Sequence, residues 1–157
     1  MVEKTWLKSY DSVVAHEISC EAKPLHEFLT LAGASFGDRT ALKQGDYHLT
    51  YREFDRQTSI IAANLRIQGL EKQQRIAVFL PNCAETVLST WSIFRAGAVG
   101  VMTNPLYSEN ELVHQFNDSG ARFVITNDLL LPKVAAILDK TRVERVFVVP
   151  AAEEGTS

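Results

Sequence analysis

The sequence predicts a doubly wound α/β fold, in which helices flank both faces of a mostly parallel sheet. Segments 76–80 and 98–102 are apolar without alternation between apolar and polar residues, which is typical of strands buried on both faces. Segments 123–126 and 146–149 have the same character, and stretches of about a dozen residues with helical periodicity separate these segments. Because strands alternate with helices, we predict four parallel strands with right-handed crossovers.

Three predicted helices begin with the spacing of a capping box, a short polar residue followed three positions later by glutamate. The pairs are Thr50 with Glu53, Asn82 with Glu85, and Ser108 with Glu111. A glycine follows each helix where the chain should adopt a left-handed conformation, at Gly69, Gly97 and Gly120. These signals place helices at about 51–68, 83–97 and 109–120.

Three regions are predicted along the chain. Residues 1–22 form an N-terminal arm, whose apolar side chains pack either on its own domain or on a neighbouring chain. Residues 23–150 form the α/β unit, and the small, polar residues 151–157 form a disordered tail.

The first part of the α/β unit is predicted to be a helix followed by a short hairpin. The helix begins near Pro24 and carries an apolar stripe of Leu25, Phe28, Leu29, Ala32 and Phe36. The hairpin pairs 41–43 with 47–49 around a glycine-containing turn. In the next helix the polar residues are expected to face water, namely Arg52, Asp55, Arg56 and Arg66.

Another helix is predicted after residue 128. Pro132 stands near its first turn, and its apolar face comprises Leu131, Val134, Ile137 and Leu138.

Composition excludes several classes of partner and compartment. A net charge of −3 over 157 residues supplies no basic field for nucleic acid or for an anionic membrane surface. No apolar run is long enough for a signal peptide or a transmembrane segment, so we expect a cytosolic protein.

The two cysteines, Cys20 and Cys83, are then expected to be reduced. Cys83 could be an activated thiol at a helix start, although a small buried filler is the favoured interpretation. The histidines share no ligand spacing with cysteines or carboxylates, so no metal site is predicted.

Candidate site residues lie where the predicted strands end, because ligands of open α/β sheets bind beyond the carboxyl ends of the strands. These residues are Asn82, Asn104, Tyr107, Asn127 and Asp128. Each of the polar residues has an alternative structural role as a helix cap or a turn residue. The sequence contains no phosphate-binding Gly-x-x-x-x-Gly-Lys loop, no Gly-x-Gly-x-x-Gly and no Gly-x-Ser-x-Gly. The residues alone therefore predict an α/β module without assigning a catalytic or cofactor-binding residue.

Five sequence blocks occur in a characteristic order and carry a family resemblance. They read LTYREF at 49–54, RIAVFLPN at 75–82, FRAGAV at 94–99, NPLY at 104–107 and DSGA at 118–121. In this order they resemble the opening portion of an acyl-CoA synthetase of the AMP-binding, adenylate-forming superfamily. Together with KTWLKSY at 4–10, the NPLY block is most similar to long-chain fatty acid–CoA ligases.

The resemblance implies a parent enzyme that uses ATP, Mg²⁺ and coenzyme A. A fatty carboxylate attacks the α-phosphate of ATP, and the thiol of coenzyme A then displaces AMP from the acyl-adenylate. The family's phosphate loop, ribose-binding aspartate and C-terminal lysine have no counterpart within residues 1–157. The chain is thus expected to be an inactive N-terminal fragment whose main partner is the rest of the ligase chain. Asn82, Asn104 and Tyr107 are expected near the substrate.

Two further expectations follow from the fragment hypothesis. Surfaces meant to contact the rest of the ligase should expose an apolar patch, and this patch should favour a homodimer or a higher association. The parent enzyme is expected in the cytoplasm, with a peripheral position at the inner membrane face allowed. The alternative hypothesis is a stand-alone flavodoxin-like binding or assembly module, which should be monomeric with a fully covered sheet.

Overall fold

The structure, a computed structural model, describes residues 4–151. After a 3₁₀ helix at Thr5–Ser9, the elements are α1 Leu25–Ser35, β1 Thr40–Gln44, β2 Tyr47–Thr50, α2 Tyr51–Ile67, β3 Arg75–Phe79 and α3 Ala84–Ala96. They continue with β4 Val99–Met102, α4 Glu109–Ser119, β5 Phe123–Asn127, α5 Leu131–Ala135, a 3₁₀ helix at Leu138–Lys140 and β6 Arg145–Val149.

Strands β3 to β6 form one sheet in the order β4-β3-β5-β6, and all three neighbouring pairs are parallel. From β3 the chain passes to β4 on one side, and from β4 it crosses over to β5 on the other side. Strands β1 and β2 form the predicted antiparallel hairpin. The predicted parallel, doubly wound α/β fold with an N-terminal hairpin is therefore confirmed.

Helices cover the sheet on both sides. Alternate side chains of the central strands point to opposite sides of the sheet, so each side presents an apolar face for helices to cover. On the side that we call the α3 face, Ile76 and Val78 pack with side chains of α2 and α3. On the opposite side, the α4 face, Ala77 and Phe79 pack with side chains of α4 and α5. A third cluster joins α1 and the hairpin to α2 and α3 through Leu29, Leu49, Phe54 and Leu88.

Burial differs between the central and the outer strands. Strand β5 and residues 76–79 of β3 are buried, as predicted. The prediction that segment 98–102 is buried on both faces is wrong, because β4 is an edge strand in the described chain and Met102 is 53% exposed. Strand β6 is the other edge, and Val148 is likewise exposed.

Two of the three predicted capping boxes are present, at the starts of α2 and α4. The Asn82–Glu85 prediction is wrong, since α3 begins after Cys83, whose side chain makes no capping hydrogen bond. The amide of Ala84 instead donates to Gln44 Oε1 at 2.6 Å. The hairpin therefore supplies the acceptor that the prediction assigned to Asn82.

The predicted helix ends are confirmed by glycine conformation. Gly97 and Gly120 cap α3 and α4 with φ of 74° and 67°, in the left-handed region that side chains disfavour. Gly69 follows α2 in the same region.

The first helix is present, but most of its predicted apolar stripe does not reach the core. Leu29 is buried, whereas Leu25 and Phe28 are about half exposed. Phe36 is 47% exposed but contacts the ring of Tyr51, with centroids 6.2 Å apart, so the stripe is only partly covered by the described residues.

Two polar residues of α2 that were expected to face water are engaged in tertiary contacts. Asp55 forms an ion pair with Arg95 of α3. The Arg66 guanidinium donates to the carbonyl oxygen of Ala96 from Nε at 3.2 Å and from Nη2 at 3.0 Å. The periodic pattern cannot show these contacts, because both partners lie at least 30 residues away along the chain.

The chain after β5 contains less helix than predicted. Helix α5 has five residues, and a 3₁₀ turn follows it. Val134 and Ile137 are buried as expected, but Leu138 is exposed because the helix does not continue to bring it inward.

The structure does not test the predictions for the two termini. Residues 4–22 form little regular structure and are largely exposed, with Val13 and Ile18 almost fully so. What covers the arm therefore stays a prediction. The predicted disordered tail, apart from Ala151, lies outside the described residues.

Thr126 allows the cost of a buried hydroxyl without a hydrogen-bond partner to be measured. Its side chain is fully buried in β5, and its Oγ1 has no hydrogen-bond partner among the described residues. We expect Thr126→Val to stabilise the fold by about 1 kcal/mol, because it removes an unsatisfied hydroxyl without changing side-chain shape. Urea unfolding measures this change. Thr103→Val is the control, since the buried Thr103 hydroxyl donates to the Val101 carbonyl, and no stabilisation is expected. Equal effects at both positions would contradict the prediction.

Candidate functional site

Two crevices open at the carboxyl edge of the parallel sheet, one on each side of Asn82. The inner crevice lies at the carboxyl ends of β3, β5 and β6 and has a volume of about 260 Å³. Its polar lining comprises Gln44, Asn82, Glu85 and Asn127. The outer crevice lies between the ends of β3 and β4 and has a volume of about 530 Å³. Its lining includes Asn82, Thr86, Met102, Thr103, Asn104 and Leu106.

The structure brings together two of the three predicted substrate-adjacent residues. Asn82 and Asn104 both line the outer crevice and both are exposed. Asn104 also has a turn role, because its Oδ1 accepts a hydrogen bond from the Leu106 amide at 3.0 Å. Asn82 does not cap α3, so its amide is available to a ligand.

Tyr107 lies apart from both crevices. It packs against the α4-face core, and its carbonyl oxygen accepts a hydrogen bond from Lys133 Nζ at 2.8 Å. Its exposed side borders a different depression, along α4. Tyr107 thus anchors the loop that carries Asn104.

Asn127 and Asp128 hold the backbone together at the end of β5. Asn127 Oδ1 accepts from the Leu130 amide at 2.9 Å. Asp128 Oδ1 accepts from the amides of Leu129 at 3.0 Å and Ala151 at 2.8 Å. These contacts support the structural role that was the alternative interpretation for both residues.

Sequence reasoning missed the two threonines of the outer crevice. Thr103 directly follows β4, and Thr86 lies in the first turn of the helix that follows β3, so their positions after strand ends were the available signal. Both hydroxyls already donate to backbone carbonyls, Thr86 to that of Pro81 and Thr103 to that of Val101. None of the described residues that line the outer crevice has a charged side chain. It therefore suits an apolar or neutral group better than a triphosphate.

The capping box of α4 holds the end of the loop that carries Asn104. The Ser108 amide and hydroxyl donate to Glu111 Oε2 at 2.8 and 2.7 Å. The side-chain hydrogen bond, and then the backbone one, lower the pKa of Glu111 from its ordinary value because they stabilise the ionised carboxylate.

This pKa shift gives a pH-dependent prediction. A group whose pKa is lowered by folding contributes stability above its unfolded pKa, and that contribution is lost as pH falls through the folded pKa. We expect Ser108→Ala to destabilise the protein at pH 7, and the difference from the unsubstituted chain to shrink below about pH 4 as Glu111 becomes protonated. Urea titrations between pH 3 and pH 7 measure it, with Glu109→Gln outside the box as the control. A difference that stays constant over this range would refute the link to Glu111.

Neither a metal centre nor a membrane helix is found in the described part of the chain. No three His, Cys, Asp or Glu side chains within residues 4–151 come together in a way that could hold a metal ion. None of the helices in that range is both long and apolar enough to cross a bilayer. Cys20 is exposed, Cys83 is partly buried against the α3-face core, and the two are not bonded to each other.

The family model for AMP-binding enzymes matches residues 29–157. The chain therefore belongs to the AMP-binding enzyme family. It is 37% identical over 146 residues to a long-chain-fatty-acid–CoA ligase of Bacillus subtilis strain 168, covering 93% of this chain and 26% of that protein. It is 32% identical over 149 residues to the ligase of the same name from Salmonella typhimurium, covering 94% of this chain and 27% of the relative. The chain thus spans about a quarter of the length of these relatives.

Solved structures agree with this assignment. A long-chain-fatty-acid–CoA ligase from Archaeoglobus fulgidus superposes with a TM-score of 0.79 at 26% identity, over 88% of this chain and 30% of that one. A Mycobacterium tuberculosis fatty acyl CoA synthetase superposes with a TM-score of 0.74 at 23% identity, over 79% and 26%. The second likeness shows the shared fold only.

Proposed function

We propose that this chain is the N-terminal portion of an ATP-dependent long-chain fatty acid–CoA ligase, which makes acyl-CoA through an acyl-adenylate. The observation that carries the proposal is the 37% identity to the Bacillus subtilis ligase along 93% of this chain. A match of this extent follows the whole order of elements and does not depend on one motif. Because this chain spans only about a quarter of that relative, the reaction is assigned to the longer protein.

Within that protein the outer crevice is proposed to contact the acyl substrate. Its uncharged lining and its exposed Met102 and Leu106 suit a long hydrocarbon chain. Asn82 and Asn104 are the side chains proposed to contact the substrate, and Tyr107 anchors the loop that carries Asn104.

The described side chains of this chain do not supply the groups that ATP and Mg²⁺ require. Neither Lys nor Arg lines either crevice at the carboxyl edge, and no cluster of acidic residues suited to a divalent cation occurs within residues 4–151. We propose that residues binding ATP, Mg²⁺ and coenzyme A lie in the rest of the ligase, so the 157-residue chain alone is inactive. We also propose that the longer enzyme works in the cytoplasm, with a peripheral position at the inner membrane face allowed.

The activity test compares this chain with the full natural reading frame. The longer protein, given a long-chain fatty acid, Mg-ATP and coenzyme A, is expected to form acyl-CoA and release AMP. The 157-residue chain is expected to form none and to show no binding of Mg-ATP by calorimetry. Micromolar nucleotide affinity of the short chain would overturn the proposed inactivity, and a longer protein without acyl-CoA formation would overturn the ligase assignment.

The crevice is tested in the longer protein by Asn82→Ala. We expect the KM for the fatty acid to rise about tenfold, which corresponds to the loss of about 1.4 kcal/mol of binding. Asn110→Ala is the matched control, because Asn110 is exposed on α4 outside the crevice and no change is expected. An unchanged KM in both variants would remove Asn82 from the site.

The stand-alone module remains the less supported alternative. It called for a fully covered sheet, whereas both edge strands expose apolar side chains such as Met102 and Val148. The same exposure supports the expectation that the isolated chain self-associates. Sedimentation over a range of concentrations tests it, and a strict monomer would count against it.

A further inference from the structure

An apolar groove lies on the α3 face of the sheet, between β6 and helices α2 and α3. Its volume is about 680 Å³. The apolar lining includes Ile61, Leu65, Leu88, Ile125, Phe147 and Val149. A groove of this size and character on a soluble protein is typical of an interaction site.

The groove occupies a position that a helix would fill in a completely covered sheet. Helices α2 and α3 lie over β3 and β5, and Phe147 of β6 packs at the margin of their core. On one side Phe147 stacks on Phe123, with ring centroids 6.3 Å apart. On the opposite face Val146 of β6 packs against the core beneath α4 and α5. Parallel strands are normally covered by helices on both faces, but no helix within residues 4–151 covers β6 on the α3 face.

The two ends of the groove carry opposite charges. Arg145, the first residue of β6, lies at one end, where its Nη1 donates to Gln68 Oε1 at 3.1 Å. Glu85, in the first turn of α3, lies at the other end. Its Oε2 is buried and has no hydrogen-bond partner among the described residues. A buried carboxylate oxygen without a donor is costly, which indicates that the occupant brings a donor to Glu85.

We propose that this groove holds an amphipathic helix, antiparallel to β6, from the part of the ligase chain that is absent from this sequence. The free amides at the start of such a helix would meet Glu85, and the carbonyls at its end would meet Arg145. Strand β6 is about 13 Å long, which about nine helical residues would span. The proposal requires the longer chain assumed under the proposed function.

Length and continuity of the chain favour this occupant over a second copy. The family match continues to residue 157 itself, beyond the end of β6. The relatives are about four times as long as the part matched here, so their remaining residues suffice to cover this face. The opposite charges at the two ends also favour a directional element, because a helix dipole matches them in one orientation only.

Cysteine labelling tests the proposal in the full natural reading frame and in the 157-residue chain. Both carry Cys20→Ser and Cys83→Ser, and any further cysteine of the longer protein is also replaced by serine, so that only an introduced thiol reacts. Asn64→Cys places the thiol on the rim of the groove, and Ala63→Cys places it on the same helix outside the groove. We expect the Asn64→Cys thiol to react about 100-fold more slowly with a maleimide in the longer protein than in the short one. The Ala63→Cys thiol should react at similar rates in both.

Three outcomes would overturn the proposal. Reaction of the Asn64→Cys thiol in both proteins as fast as the Ala63→Cys thiol would show an open groove. Protection in the longer protein that disappears on dilution would identify a second copy as the occupant. Equal protection in both proteins at low concentration would identify a segment of the short chain itself.

The Glu85 contact has a separate readout. In the longer protein Glu85→Gln is expected to raise the labelling rate of the Asn64→Cys thiol about tenfold, and Glu109→Gln is expected to leave it unchanged. An unchanged labelling rate in the Glu85→Gln variant would refute the proposed donor contact and the proposed helix orientation. Labelling does not depend on enzyme activity, so the two proposals can fail separately. If the longer protein is inactive but its groove is protected, the ligase assignment is refuted and the docking inference holds.

Discussion

Replacing Phe79 by alanine is expected to lower the free energy of unfolding by about 3–5 kcal/mol. Phe79 ends the central strand β3, and its side chain is fully buried in the α4-face core. Leu112 and Phe116 of α4 pack in the same cluster. Because neighbouring strands and helices hold these side chains on both sides, the cavity cannot collapse easily, and the cost includes lost contacts as well as lost burial.

Phe28→Ala is the matched control for this substitution. Phe28 belongs to the predicted apolar stripe of α1 but is 52% exposed. We therefore expect the same deletion to cost less than about 1 kcal/mol. Urea unfolding of the two variants measures both values. Equal losses would show that α1 is covered as fully as the sheet, contrary to the described packing.

Asp55→Ala is expected to destabilise the protein by about 2–3 kcal/mol, because it leaves the Arg95 guanidinium without a counter-charge in a partly buried position. The side chains of Arg95 and Asp55 are only 17% and 26% exposed. Asp55 Oδ1 also accepts from the Thr30 hydroxyl at 2.9 Å, so the carboxylate links α1, α2 and α3. Arg95 Nη2 also donates to the Thr30 hydroxyl oxygen at 3.1 Å, but Arg95 Nε is buried and has no partner among the described residues, so Asp55 is the only anionic partner that the described residues give this cation.

A double-mutant cycle separates the pairing from other effects of truncation. Asp55→Ala and Arg95→Ala together are expected to cost less than the sum of the single losses by about 1–2 kcal/mol. The control cycle uses Arg52 and Asp38, whose nitrogen and oxygen are 3.2 Å apart and whose side chains are 69% and 93% exposed. Its coupling should stay within about 0.5 kcal/mol. Equal coupling in the two cycles would mean that burial does not strengthen the Asp55–Arg95 pair.

Local signals in the sequence predicted most of the elements correctly. Thr50 with Glu53 and Ser108 with Glu111 form their capping boxes because both partners lie within one helical turn. Asn82 with Glu85 has the same spacing and fails, because an acceptor from β1, 40 residues away, meets the first amide of α3. A spacing rule contains no information on such a distant competitor.

The candidate site was predictable in position but only partly in composition. The rule that ligands bind at the carboxyl edge selected Asn82 and Asn104, which both line the outer crevice, and their contact with substrate stays a prediction. It did not separate them from Tyr107, whose carbonyl is held by Lys133 of α5. Thr86 and Thr103 were missed because single threonines near strand ends carry no distinctive pattern.

The sequence by itself determined the order of helices and strands, the turns between them and the family, because these depend on neighbouring residues and on ordered motifs. Only the tertiary structure decided which strands are edges, which apolar stripe is buried and that Asp55 pairs with Arg95. These features depend on which distant segments come together. The open face beside β6 shows the same principle, since a strand's own residues do not reveal whether a helix covers it.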